Sequence, residues 1–233
     1  MFSMGKSGAR LAVAAVALVA MRAGAMAADL PATKDVFVAP IADPVWFARV
    51  GGAGIFYNGS AKNNALGVQI PGATVTIPNN ATVLFEGGYY ILPSVFLEAT
   101  AGIPPTATLN GAGSVSRDGT LGKATYAPAV LSVNYQYKGL GAFQPYIGAG
   151  VSYAIIFNSI DGAVSALNVH NNFGVALQGG VEYYLNRNWA VYADAKHIWL
   201  QVNANANLGP GAPVTARVTV DPTIISGGIA YHW

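Results

Sequence analysis

Bulky apolar residues recur at every second position along most of the chain, and the alternation breaks at intervals. In "FGVALQGGVEYYL" (173–185), Val175, Leu177, Gly179, Val181, Tyr183 and Leu185 share one parity, and Glu182 holds the other. A period of two marks an extended strand, whose successive side chains leave opposite faces. The same pattern predicts eight strands, at about 46–56, 81–92, 94–104, 125–138, 143–157, 173–185, 189–204 and 215–233. Each has the roughly 9 to 11 residues, or more, that a tilted strand needs to cross a bilayer. An even number of strands is what a bacterial membrane barrel requires.

The segments between the strands alternate in length. Those at 57–80, 105–124, 158–172 and 205–214 are long and rich in Asn, Gly, Thr and Ser, whereas Pro93, "GLGA" (139–142) and "NRN" (186–188) are short. Outer-membrane barrels sort their connections in this way, with short periplasmic turns and longer external loops. The expected fold is all-β: an eight-stranded antiparallel transmembrane β-barrel.

Parity also assigns the faces. Trp189, Val191, Ala193, Ala195, His197 and Trp199 share one side of their strand, and Asp194 and Lys196 take the other. Arg49, Glu86, Glu98 and Glu182 fall on the corresponding side of theirs. A Lys or Arg facing lipid at mid-depth costs about 2–4 kcal/mol, so the charged face lines the lumen. The aromatic residues fall in two rings. Trp46, Tyr135, Tyr137, Phe143, Tyr183, Trp189, Tyr231 and Trp233 sit at the periplasmic ends, and Phe56, Phe85, Tyr153, Phe157, Phe173 and Trp199 nearer the external ends. These are the two interfacial girdles of a membrane barrel.

Composition sharpens the picture. The chain is 53% hydrophobic and only 9% charged, against about 25% charged in soluble domains. One apolar run, "LAVAAVALVAM", lies near the N-terminus behind Lys6 and Arg10 and ahead of "AMA" (25–27). It reads as a signal peptide over 1–27, followed by a periplasmic leader at 28–45 and the barrel at 46–233. Cleavage after Ala27 removes Lys6, Arg10 and Arg22 from the 12 basic residues and leaves nine against ten acidic ones. No basic patch then points to a nucleic-acid partner. With no Cys there is neither a disulfide nor a thiolate metal site, and no spacing suggests a metal or cofactor.

Several stretches resemble the OmpW family of outer-membrane proteins: "FQPYIGAGVSYAIIFN" (143–158), "QGGVEYYLNRNWAVYADAKHIW" (178–199), "DPTIISGGIAYHW" (221–233) and, more weakly, "FLEATAGIP" (96–104) and "FARVG" (47–51). The resemblance covers roughly 46 to 233 and implies an eight-stranded barrel with a narrow apolar channel for small hydrophobic compounds. The last strand, ending at Trp233, resembles the signal read by the outer-membrane insertion machinery.

Strand direction gives each inward residue a height. Arg49, Glu86, Glu98, Asn134, Gln136, Gln144, Glu182, Asp194 and Lys196 fall in the periplasmic half of the lumen. Four carboxylates against two cations there require tight hydrogen bonding or partial protonation. The external half receives Ile55, Leu84, Val130, Ile156, Ile198, Leu200, Val218 and Val220. An eight-stranded barrel is just wide enough for its side chains to fill it. The lower half is therefore expected to be plugged, and the six residues Ile55, Leu84, Val130, Ile156, Ile198 and Leu200 to line a substrate channel above it. The charge cluster reads first as ordinary polar filling and second as a gate.

Prolines interrupt the pattern. Pro104, Pro105 and Pro128 fall near the external rim of adjacent strands, with Pro145 and Pro222 lower and mid-strand. Each lacks an N–H and cannot complete a ladder bond. The first three mark a candidate lateral opening, through which an apolar solute could pass into outer-membrane lipid; a bulge or strand end explains them as well. An enzyme would need a nucleophile and base. His170 lies in a loop, His197 faces lipid and His232 sits at the far end, with no Ser and carboxylate expected in reach. A structural anchor, or a surface adhesin or receptor acting through its external loops, remains the alternative to uptake.

Overall fold

The computed structural model describes residues 46–57, 60–65, 68–69, 72–207 and 213–233, so the expected signal peptide (1–27) and leader (28–45) lie outside the described residues. These hold β1 (Trp46–Tyr57), β2 (Ser60–Ala65), β3 (Val68–Gln69), β4 (Ala73–Thr76), β5 (Asn80–Leu92), β6 (Val95–Gly102) and β7 (Thr106–Gly113). There follow β8 (Thr120–Gln136), β9 (Phe143–Asp161), β10 (Ser165–Val169), β11 (Asn172–Tyr184), β12 (Trp189–Asn207), β13 (Pro213–Thr219) and β14 (Pro222–His232). Eight of them form a ring in the order β1, β5, β6, β8, β9, β11, β12, β14, every pair antiparallel. The ring closes where β14 returns to β1, from Phe47↔His232 to Tyr57↔Pro222. Trp46 and Trp233 complete it by exchanging backbone bonds of 3.1 and 3.0 Å.

The tight turns have local causes. Asn186 Oδ1 accepts the N–H groups of Asn188 and Trp189, both at 2.9 Å, which is the side-chain mimic of a backbone turn that Asn favours. Gly141 takes a φ of 66° in the 139–142 turn, a conformation that costs a residue with a Cβ.

Above the ring stands a second tier of sheet. The segments expected as long loops are largely strand: β12 continues to Asn207 and pairs there with β10 and β13, β13 pairs with β2, and β7 pairs with β4 and β8. A single strand shows why composition misled. Low on β12, Val191, Ala193 and Ala195 face outward while Asp194 and Lys196 are buried inside; higher up, Gln201, Asn203 and Asn205 face outward while Leu200 and Val202 are buried. The inside and outside exchange polarity at the level of Trp199. Above the lipid the outer face meets water, so polar residues there belong to a sheet as readily as to a loop.

The final segment also differs from expectation. Instead of one strand over 215–233, β13 and β14 are separated at Asp221, whose φ is 34°. Its carboxylate accepts the Leu200 N–H at 2.9 Å and Leu200 O accepts the Val220 N–H at 2.9 Å, which together fasten the corner to β12. Pro222 therefore opens β14 opposite Tyr57 rather than sitting low and mid-strand. Likewise β6 stops at Gly102 rather than reaching Pro104.

Aromatics mark both rims of the lipid-facing wall. Trp46, Tyr135, Tyr183 and Trp233 at one end, and Phe85, Phe157, Phe173 and Trp199 at the other, are all between 49% and 71% exposed. This orientation is testable in intact cells with a membrane-impermeant thiol reagent, against a background free of Cys. Arg117→Cys, beyond β7, is expected to label and Asn186→Cys, in the β11–β12 turn, to stay unlabelled. The reverse result would invert the topology.

Candidate functional site

The alternation of β1, β5, β6, β11 and β12 sends six charged side chains to one level of the lumen, where all are fully buried. Arg49 bonds Glu98 Oε2 at 2.6 Å through Nη1 and Glu182 Oε1 at 2.9 Å through Nε, with Glu86 Oε2 at 3.4 Å. Lys196 Nζ lies 2.7 Å from Glu86 Oε1, 2.8 Å from Asp194 Oδ1 and 3.3 Å from Glu98 Oε1. Four carboxylates thus share two cations. Neutral donors supply the rest: Gln136 Nε2 and Tyr184 OH donate to Glu182 Oε2 (3.0 and 3.1 Å), Gln178 Nε2 to Glu98 Oε1 (3.0 Å), and Tyr146 OH to Asp194 Oδ2 (2.9 Å). A buried carboxylate is tolerable only with this degree of pairing.

Aromatic rings close the level beneath. Phe47, Tyr90, Phe96 and Tyr146 form one buried cluster. The Arg49 guanidinium lies 4.5 Å from the Phe47 ring and 4.9 Å from that of Tyr146, close enough for cation–π attraction. The packing depends on absent side chains: a Cβ at Gly88 would stand 2.1 Å from the Phe47 ring, and one at Gly180 2.5 Å from Tyr146 OH. Gln178, Tyr146, Tyr184 and His232 belong to this assembly but escape a reading based on formal charge. Parity alone places Gln178 on the same inward face as Glu182.

The six expected channel residues are brought into one apolar cluster, but at two levels. Ile55, Leu84, Val130 and Ile198 are at most 3% exposed and pack as a solid layer above the charges. Ile156 and Leu200 border a cavity of about 60 Å³ higher up, in the second tier, together with Ala107, Leu109, Ala124, Val202 and Val218 and the rings of Tyr57 and Tyr126. For comparison, a dry apolar cavity of about 150 Å³ holds benzene. In this resting state the cavity must widen to admit even a small aromatic.

Beside the cavity the wall is interrupted. The β6–β8 ladder ends at Thr100↔Val130, and the β7–β8 ladder begins at Thr106↔Thr125. Residues 101–104 and 127–129 face each other outside both ladders. The gap is bounded by Ile103 N–H, which continues the β5–β6 register by donating to Val83 O (3.0 Å), and by Tyr126 N–H, which continues the β7–β8 register by donating to Pro105 O (3.2 Å). Pro104, Pro105 and Pro128 contribute no N–H to this seam. On its outer face lies a groove of about 350 Å³, floored by Ala99, Ala101 and Ala129, walled by Phe85, Leu131 and Phe173, and reaching Thr100 and Val130.

A plugged eight-stranded barrel with an apolar upper chamber narrows the field, and a family model described as the OmpW family matches residues 46–233. The chain belongs to the OmpW family. It is accordingly a bacterial outer-membrane protein. Among its relatives, the dibenzothiophene metabolism operon protein PahQ of Pseudomonas aeruginosa is 37% identical over 181 residues, covering 78% of this chain and 85% of the relative. Outer membrane protein AlkL of Ectopseudomonas oleovorans is 32% identical over 168 residues, covering 72% and 73%. The crystal structure of OprG from Pseudomonas aeruginosa superposes with a TM-score of 0.78 at 21% identity, over 84% of this chain and 99% of that one.

The histidines of this OmpW-family barrel are all engaged. His170 Nε2 bonds Asn205 Nδ2 at 3.1 Å, and His197 Nδ1 bonds Thr223 Oγ1 at 2.9 Å. His232 has a carboxylate within reach, with a tyrosine rather than a serine beside it: its Nε2 is 3.2 Å from Glu182 Oε1 and 3.3 Å from Tyr184 OH. Inward parity of the last strand put it there, level with the aromatic cluster. Among the described residues no group of His, Asp and Glu side chains has the geometry to hold a metal ion.

Proposed function

We propose that this OmpW-family barrel is a passive uptake channel for small hydrophobic molecules, which enter the upper cavity from outside and leave sideways through the seam at 101–104 and 127–129. The observation that carries the reading is the apolar cavity, closed below by a buried aliphatic layer and, under it, a fully buried charged and aromatic plug. A solute that has entered from above meets a closed floor, and the adjoining break in the wall opens towards lipid. Burial of apolar surface, about 25 cal/mol per Å², drives entry, and partition into the bilayer drives exit. No energy source or catalytic group is involved. Kinship with a dibenzothiophene metabolism operon protein supports solutes of that compact, apolar kind. The same reading takes 1–27 as a signal peptide, 28–45 as a periplasmic leader, and the strand ending at Trp233 as the address read by the insertion machinery.

Comparing octane uptake by cells with and without the barrel tests the function. Ala101→Cys/Ala129→Cys tests the route, because a disulfide across the seam would hold it shut. Uptake is expected to rise with the wild-type barrel, to fall severalfold when the double variant is oxidised, and to recover on reduction. Equal uptake with and without the barrel would favour an anchor or adhesin acting through the external tier. Uptake that is indifferent to the cross-link would move the exit elsewhere.

A further inference from the structure

The geometry points to Tyr57 and Tyr126 as the gate between the cavity and the seam, and as the selector of solutes that carry one hydrogen-bonding atom on an apolar body. This inference rests on the uptake reading and adds a preference to it. Both rings border the cavity, and their hydroxyls bond each other. Tyr57 is on β1 and Tyr126 on β8, with β5 and β6 between them in the ring. The bond therefore crosses the lumen instead of running along the wall. Tyr126 also stands opposite a bulge in β9, where Phe157 is left between the partners of Thr125 and Tyr126, and its amide is held by Pro105 O at 3.2 Å. Tyr126 keeps the inward parity of Ala124, Pro128 and Val130 on β8, and that alternation carries its ring into the chamber. One residue thus borders the cavity, closes the bridge and anchors the edge of the seam.

Chemistry supplies the preference. Each tyrosine's backbone is held in a ladder on one side, Tyr57 opposite Pro222 of β14 and Tyr126 opposite Ile156 of β9, so rotation of the two side chains is the softest way to widen a cavity of about 60 Å³. Separating the pair leaves two hydroxyls among aliphatic side chains such as Ala124, Ile156 and Leu200. Unsatisfied polar groups in such surroundings are penalised. A hydrocarbon offers them nothing. A solute with a hydroxyl, ether or carbonyl oxygen replaces the lost bond as it passes.

The pair naphthalene and 1-naphthol isolates this effect, since they differ by one hydroxyl. Initial entry of each is measured by fluorescence in cells bearing the wild-type or the Tyr57→Phe/Tyr126→Phe barrel. Each rate is corrected for entry in cells lacking the barrel and divided by that barrel-free rate. The wild type is expected to favour 1-naphthol by roughly fivefold, the factor carried by one neutral hydrogen bond of about 1 kcal/mol. In the double variant, which strands no hydroxyl, the preference falls to near unity because naphthalene enters faster. Retention of the full preference by the double variant overturns the gate. Absence of barrel-dependent entry of either solute overturns uptake itself. Should the double variant fail to insert, judged by heat-modified migration, Tyr57→Leu/Tyr126→Phe, which likewise strands no hydroxyl, carries the comparison with the same expected direction.

Discussion

Arg49→Met is expected to lower the barrel's resistance to unfolding by about 3–5 kcal/mol, the usual cost of removing one partner from a buried ion pair. The side chain touches Glu86, Glu98 and Glu182 at once, and methionine would fill the space without neutralising any of them. Lys196 would then face four carboxylates alone. Unfolding in detergent, followed by the heat-dependent shift in gel migration, measures the loss. Arg187→Met supplies the scale: that residue lies exposed in the β11–β12 turn, and a surface change of this kind stays within about 0.5 kcal/mol. Adding Glu182→Gln to Arg49→Met should restore part of the stability, because one stranded charge disappears with its partner. If Arg49→Met behaves like Arg187→Met, the network is solvated and the lower lumen is not sealed.

Leu200→Asp is expected to reduce barrel-dependent uptake at least tenfold while the barrel still inserts. Leu200 borders the cavity and is 6% exposed. An unpaired carboxylate there draws water into a dry chamber, and every entering solute must then displace it. Losing roughly 60 Å² of apolar contact at about 25 cal/mol per Å² already amounts to about 1.5 kcal/mol, a factor of roughly ten. Ile156→Asp should act in the same direction from β9, on the far side of β11, and Leu200→Ile should leave uptake almost unchanged. Normal uptake by both Asp variants would place the solute path outside this chamber.

Most of the ring was legible from parity. Arg49, Glu86, Glu98, Glu182, Asp194 and Lys196 could be assigned to one face because a charge on the other face would meet lipid, and the structure puts them within bonding distance of one another. The external tier was not legible, because composition was read with a membrane rule beyond the membrane. Gln201, Asn203 and Asn205 look like loop residues until Leu200 and Val202 between them are given the inside. Tyr57 was lost by ending its strand one residue early, and no local pattern could pair it with Tyr126, 69 residues away. His232 shows a different gap. Its alternation was plain, but the distance to Glu182 depends on where the ring closes, which parity cannot supply.

The charged plug has a bearing on the order in which the chain can assemble. Arg49 and Glu182 are 133 residues apart, and Lys196 and Glu86 are 110 apart, whereas the neighbouring strands β5–β6, β8–β9 and β11–β12 pair through short hairpins. Local hairpins close early, and contacts between distant segments wait on the cost of closing large loops. A chain that has reached β11 carries three of the carboxylates and only Arg49 to meet them. Lys196 arrives with β12, and His232 with the same strand whose ladder joins β1. Neutralisation of the interior and closure of the ring are therefore one late event, and a barrel that lacks its last two strands has neither a seal nor a reason to stay shut.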